Sequence, residues 1–119
     1  MALNFFSGRI RAFKYAAKGA WLLLRKEPSV QAQSAIAFIL VLAGFYFNIS
    51  AIEWIAQTLA IGLVLSIEGL NSAVEELADF VHPDRHKRIG HLKDIAAGAV
   101  LFAAVAAVVV GCLIYIPKF

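Results

Sequence analysis

The residues best suited to chemistry lie close together in the chain, between positions 68 and 79. Five polar side chains recur there at steps of three and four residues: Glu68, Asn71, Ser72, Glu75 and Asp79. Because a helix turns by about 100° per residue, this spacing places three carboxylates, an amide and a hydroxyl on one side of a single helix. We call these five residues the polar stripe, and Glu76 falls on its margin.

Like charges at this spacing repel one another, so a positively charged group is expected to face the polar stripe. Mg²⁺ is one candidate, because it prefers carboxylate oxygens and commonly binds together with nucleotide phosphates. The other interpretation is structural: the acids pair with Lys93, Arg85 or Arg88 and so join neighbouring helices. Both interpretations stay open at this point.

Two further acidic positions can complete such a site. Glu27 lies at the junction between an amphipathic segment and the first hydrophobic run. Lys93 and Asp94 stand at the start of the last hydrophobic run. A lysine there can neutralise a phosphate, whereas an aspartate at a helix start is also an ordinary capping residue.

Other nucleotide and metal motifs are missing from the sequence. It contains no G-x-x-x-x-G-K-[ST] loop, no G-x-G-x-x-G turn after a strand and no protein-kinase signature. His82, His86 and His91 surround a loop broken by proline and have no thiolate partners. We therefore expect solvated loop histidines rather than a zinc site.

The helices that carry these residues are expected to lie in lipid. Apolar residues make up 61% of the 119-residue chain and charged residues 16%, against about 25% charged in an average soluble domain. Uncharged runs of 25 and 23 residues lie at 28–52 and 95–117, and a helical crossing needs about 20 apolar residues. The middle run, 54–67, has 14 residues and reaches that length only by continuing through the polar stripe.

The sequence predicts an all-α membrane protein with a single domain over residues 1–119. An amphipathic surface helix is expected at about 5–26, with aromatic side chains on one side and basic ones on another. Pro28 ends it, and Pro83 ends the helix that carries the stripe. The three predicted spans are about 30–47, 52–80 and 93–116.

The basic residues predict how the spans are oriented. Ten of the eleven lysines and arginines precede the first span or lie between the second and third, and the tail has Lys118 alone. By the positive-inside bias, the amino terminus and the loop at 82–94 are cytoplasmic. The end of the stripe, Glu27 and Lys93 are then expected on the side where ATP is.

The residues of the polar stripe and of the start of the last hydrophobic run match a known signature. Glu68-Gly69-Leu70-Asn71-Ser72-Ala73-Val74-Glu75-x-x-x-Asp79, followed by Lys93-Asp94-x-x-Ala97-Gly98-Ala99, resembles the prokaryotic diacylglycerol kinase family, which includes undecaprenol kinases. The similarity covers nearly the whole chain. It implies a homotrimer of three-span chains, each with an amino-terminal surface helix. It also implies active sites at the subunit interfaces, near the cytoplasmic face.

The resemblance implies a role for each matching residue. Glu68 would be the base that activates a lipid hydroxyl, Asn71 would orient the reacting groups, and Lys93 would meet the transferring phosphate. Glu27 and Glu75 would hold the metal ion. The positions implied for nucleotide binding are Lys14, Tyr15, Asp79, Asp84, His86 and Asp94. The positions implied for lipid binding are Arg9, Ser72 and Ala97.

The implied reaction is ATP-dependent phosphorylation of a membrane lipid, with Mg²⁺, in the bacterial inner membrane. The expected partners are ATP, the lipid and further copies of the chain, with no nucleic acid. Undecaprenol and diacylglycerol both stay open: the loop at 81–86 and the ending at 116–119 look like the undecaprenol kinase branch, whereas 28–33 departs from it. A small cation-binding transporter or a non-catalytic membrane scaffold is the alternative from another class.

Overall fold

A computed structural model describes residues 2–119, and every regular element in that range is a helix. The elements are α1 (Ala2–Lys26), α2 (Pro28–Tyr46), α3 (Ala51–Val81), α4 (Lys87–Tyr115) and a closing 3₁₀ turn (Ile116–Lys118). Three of these helices, α2, α3 and α4, are long and apolar enough to cross a membrane. The predicted all-α fold with three membrane-spanning helices is confirmed.

A single residue separates α1 from α2. Glu27 has extended backbone angles (φ −99°, ψ 111°) and caps α2, with Pro28 at the first helical position. Proline fits there because the amide hydrogen that it lacks would have no partner inside the helix. The molecule measures 49 × 47 × 22 Å, so α1 extends sideways from the bundle instead of running along it. The amphipathic helix is therefore free to present its apolar face to a lipid surface.

The last helix begins at Lys87, earlier than the predicted span of 93–116. Its N-cap is His86, whose side chain accepts a hydrogen bond from the Arg88 backbone N–H at 3.1 Å. Sequence reasoning missed this start because histidine is not among the residues that usually mark a helix N-terminus. Asp94 consequently lies well inside α4. The interpretation of Asp94 as a capping residue is wrong.

The turn between α2 and α3 closes one end of the bundle, which we call the distal end. Asn48 adopts a positive φ of 51°, a conformation that asparagine tolerates better than most residues. Ser50 and Glu53 then form a reciprocal capping box at the start of α3. Trp54 packs directly on Gly44, where a Cβ atom would come within 2.5 Å of the Trp54 Cη2 atom. The hairpin depends on that close approach.

One hydrogen-bonded cluster at the distal end joins all three spans. Gln57 of α3 is only 4% exposed, and its Nε2 donates to the Leu40 carbonyl of α2 at 3.2 Å. The Tyr115 hydroxyl of α4 donates to Gln57 Oε1 at 2.6 Å and lies 3.1 Å from the same carbonyl. We call these three residues the distal node. Lipid offers no hydrogen-bond partner, so the polar groups of the spans have to satisfy one another.

Tyr115→Phe tests the distal node. The change removes the hydroxyl and leaves the buried Gln57 Oε1 without its donor, so the free energy of unfolding should fall by about 1–2 kcal/mol. Titration with a denaturing detergent in mixed micelles measures it. Tyr46→Phe is the matched control, because Tyr46 is 82% exposed. Equal stability of the two variants would contradict a role for the node.

Candidate active site

The polar stripe lies on one continuous helix, α3, and its burial changes along the helix. Glu68 is 7% exposed and Ser72 8% exposed, whereas Glu75 and Asp79 are exposed. The polar stripe is therefore buried at Glu68 and becomes exposed as α3 approaches its carboxyl end. We call the end of the bundle where α3 finishes and α4 begins the site end.

Glu68 is the least expected group in this helix. The residue is buried, and among residues 2–119 its carboxylate forms no ion pair. The nearby Ser72 hydroxyl donates instead to the Glu68 backbone carbonyl at 3.1 Å, within its own helix. An unpaired ionisable group in a membrane span is unfavourable and usually functional. Glu68 is therefore the first candidate for a catalytic group.

Asn71 and Glu75 form the middle of the stripe. The Asn71 side-chain amide nitrogen donates to Glu75 Oε1 at 3.5 Å, which turns the amide toward the next turn of the helix. The Asn71 Oδ1 atom is buried and has no hydrogen-bond partner in the described chain. The amide thus presents its nitrogen to Glu75 and leaves its oxygen free. Carboxylate and amide oxygens are the types of ligand that Mg²⁺ prefers.

A groove of about 320 Å³ at the site end gathers several of the predicted residues, and we call it the loop groove. The predicted site residues that line it are Asp79, Asp84, His86 and Lys93. Lys93 Nζ donates to Asp79 Oδ1 at 2.6 Å. One acid of the polar stripe thus pairs with Lys93 as the structural interpretation expects, and this acid is Asp79, the last of the stripe. The Asp79 side chain is 63% exposed and the Lys93 side chain 35%, so solvent weakens this ion pair and Lys93 stays accessible to a phosphate.

A second groove, of about 340 Å³, separates α1 from α3, and we call it the α1–α3 groove. Its polar lining consists of Lys26, Glu27, Ser72 and Glu76. Its floor is close-packed, since a Cβ atom on Gly69 would lie 2.9 Å from the Leu23 Cδ1 atom. Periodicity placed Glu76 at the margin of the stripe and gave no reason to pair it with Glu27. Only the packing of α1 against α3 reveals that they share a groove.

The other predicted residues lie apart from these two grooves. Arg9, Lys14 and Tyr15 are exposed on α1 and line neither groove, and the Arg9 guanidinium lies 5.1 Å from the centre of the Phe5 ring. Asp94 lines a different groove beside the start of α4. Ala97 is exposed on α4. Within residues 2–119, no three acidic, histidine or cysteine side chains cluster closely enough to hold a metal ion.

The three spans and the half-buried stripe define a small multi-pass membrane protein with a candidate catalytic site at one end of its bundle. The family model for prokaryotic diacylglycerol kinase matches residues 14–115. The chain belongs to this family and is a lipid kinase. The transporter and scaffold alternatives are not favoured.

Individual relatives point to the same family. An undecaprenol kinase of Bacillus subtilis is 37% identical over 108 residues, which cover 91% of this chain and 88% of that protein. A diacylglycerol kinase of Escherichia coli is 29% identical over 117 residues, covering 96% and 93%. A diacylglycerol kinase of Haemophilus influenzae is 31% identical over 94 residues, covering 79% and 80%.

Proposed function

We propose that this chain transfers the γ-phosphoryl group of ATP to the hydroxyl of undecaprenol at the cytoplasmic side of the bacterial inner membrane. The observation that carries the proposal is the burial of Glu68, an unpaired carboxylate inside a membrane span. Seven residues, or about 10 Å of helix, separate it from the exposed Glu75. A lipid hydroxyl reaches the dry end of the stripe, and the nucleotide reaches the wet end.

Glu68 is the general base in this proposal. The lipid oxygen attacks the γ-phosphorus, the bond to the bridging oxygen of ADP breaks, and the hydroxyl proton passes to the Glu68 carboxylate. Asn71, one turn further along, orients the reacting groups through its unpartnered oxygen. Phosphoryl transfer requires mainly positioning and charge neutralisation, which a few fixed side chains can supply.

The carboxylates of Glu27 and Glu75 are the proposed ligands of Mg²⁺, and their oxygens suit it. When bound, the ion neutralises charge on the nucleotide phosphates. Lys93 contributes a second positive charge, directed at the transferring phosphate. The residues proposed to hold the nucleotide are Lys14, Tyr15, Asp79, Asp84, His86 and Asp94. Asp79, Asp84, His86 and Lys93 already line one groove, which supports this assignment.

The α1–α3 groove supports the position proposed for the lipid. Gly69 and Ser72 line it and lie within about one turn of Glu68 on α3, so a lipid hydroxyl in this groove would be close to the proposed base. Arg9 and Ala97 are proposed as further lipid contacts on α1 and α4. Undecaprenol is preferred over diacylglycerol because identity to the undecaprenol kinase is 37%, against 29% to the Escherichia coli diacylglycerol kinase.

A side-by-side assay tests the reaction and the lipid. The purified protein is incubated with labelled ATP and Mg²⁺ in vesicles that contain either undecaprenol or diacylglycerol at equal mole fraction. We expect kcat/KM for undecaprenol to be higher by about tenfold or more, the range over which an apolar site discriminates. A preference for diacylglycerol would overturn only the choice of lipid. No labelled lipid from either substrate would overturn the proposed reaction.

Two substitutions separate base from metal ligand. Glu68→Gln should lower turnover by a factor of about 10² to 10⁴, the usual contribution of a general base, and leave MgATP binding intact. Glu75→Gln should weaken MgATP binding as well, measured by equilibrium titration with a non-hydrolysable analogue. Glu53→Gln, on the same helix at the distal end, is the control with near-normal turnover. Equal loss of nucleotide binding in the Glu68 and Glu75 variants would contradict this division of roles.

The proposed site is shared between copies of the chain in a homotrimer. Glu75 and Asp79 are exposed near the carboxyl end of α3, and of the two only Asp79 forms an ion pair within residues 2–119. Like charges on one helix face favour a partner surface beside them. Asp94 lines a groove to which no stripe residue contributes. Both features are explained if the stripe of one chain faces the α4 surface of its neighbour. A closed, symmetric assembly repeats that contact at every interface.

Mixing inactive chains tests the shared site. Glu75→Gln and Asp94→Asn chains, coexpressed and purified together, should recover about a quarter of the active sites if the two residues come from different chains of a symmetric oligomer. Activity per oligomer measures the recovery. Glu68→Gln mixed with Glu75→Gln is the control without recovery, because both residues belong to one stripe. If the first mixture stays inactive although the two chains copurify, the shared site is contradicted.

A further inference from the structure

The loop between α3 and α4 is held by two imidazole rings, and His86 has the more demanding role. Its Nδ1 atom accepts from the Arg88 backbone N–H at 3.1 Å, and its backbone carbonyl accepts from Gly90 N–H at 2.9 Å. A ring nitrogen accepts a hydrogen bond only when it carries no proton. The cap therefore requires neutral His86, with its single ring proton on Nε2.

His82 completes the loop with the opposite hydrogen-bonding role. Its Nδ1 atom donates to the backbone carbonyl of Asp84 at 2.8 Å, which both the neutral and the charged ring can do. The centres of the two rings lie 4.8 Å apart, with an interplanar angle of 58°. A proton gained by His86 would thus place a positive charge beside a second titratable ring. Only the His86 contact is lost outright on protonation.

Charged groups lie on both sides of His86. From α3, the loop and α4, the charged groups that line the loop groove are Asp79, Asp84, Arg85 and Lys93. On the other side of the start of α4, the titratable groups are Lys87, Arg88, His91 and Asp94. Four cations thus face three carboxylates, and Asp79 is already paired with Lys93.

We propose that His86 is a proton-sensitive latch for the loop at the site end. Above the pH at which His86 takes up a proton, its neutral ring caps α4 and fixes the loop. Below that pH the acceptor is lost, and the first turn of α4 detaches together with residues 82–86. The Lys93–Asp79 ion pair limits the opening, because it ties α4 to α3 further along the helix. Histidine is suited to this role because its charge changes between about pH 5 and 8.

The consequence for catalysis rests on the nucleotide site proposed above. Asp84 and His86 belong to the opened segment, so MgATP binding should weaken on acidification while the phosphoryl-transfer step changes less. The latch would then make lipid phosphorylation fall when the cytoplasm becomes acidic. The His86 cap forms without nucleotide, so the latch is tested on the protein without nucleotide.

Hydrogen exchange at the Arg88 amide measures the latch directly, since His86 Nδ1 is the acceptor for that amide. The whole protein in lipid nanodiscs is compared at pH 7.5 and pH 5.5, with rates corrected for the intrinsic effect of pH on exchange. The protection of the Arg88 amide should fall about fivefold at the lower pH, the size of a typical N-cap contribution. The amide of the buried Ala103, deep in α4, should keep its protection.

Two variants assign the effect to one ring. His86→Asn keeps a good N-cap acceptor that does not titrate, so protection of the Arg88 amide should become independent of pH. His91→Asn removes the neighbouring exposed histidine and should keep the fall. Constant protection in the unmodified protein, a fall that persists in His86→Asn, or its loss in His91→Asn would each overturn the latch. A chain that binds no MgATP at either pH would instead overturn the proposed nucleotide site.

Discussion

The bilayer interior supplies no hydrogen-bond partners, and the arrangement of the three spans follows from that constraint. At the distal end the polar groups satisfy one another: Gln57, Tyr115 and the Leu40 carbonyl form one closed cluster that contains a residue from each span. The capping box of α3 and the Lys118–Glu53 ion pair secure the same end. This end is the anchor of the bundle.

The site end has the opposite character. Glu68 is buried and forms no ion pair within the described chain, and the Asn71 oxygen is buried and unpaired there. Leaving such groups unsatisfied is unfavourable, and a bundle held only at this end would not hold them in place. The distal node and the packing of Trp54 on Gly44 lie on the same three helices and stabilise them far from the stripe. The stabilising contacts and the candidate site thus lie at opposite ends of one short bundle.

The helix boundaries at the site end determine which groups meet there. Because Pro28 starts α2 directly after Glu27, this carboxylate is fixed where α1 turns away from the bundle. Because His86 starts α4 early, Lys93 lies within the helix and reaches back to Asp79. Lys93 thereby lines the loop groove, whereas Glu27 lines the α1–α3 groove.

Local features of the sequence were sufficient to predict the three spans, the break at Pro28 and the polar stripe, because the lengths of uncharged runs and a 100° periodicity are properties of neighbouring residues. The cap at His86, the groove shared by Glu27 and Glu76, and the contact between Gln57 and Tyr115 across 58 residues were decided by tertiary structure. Periodicity shows which residues share a helix face. Packing alone decides toward which neighbour that face is turned, since this depends on the rotation of each helix about its own axis.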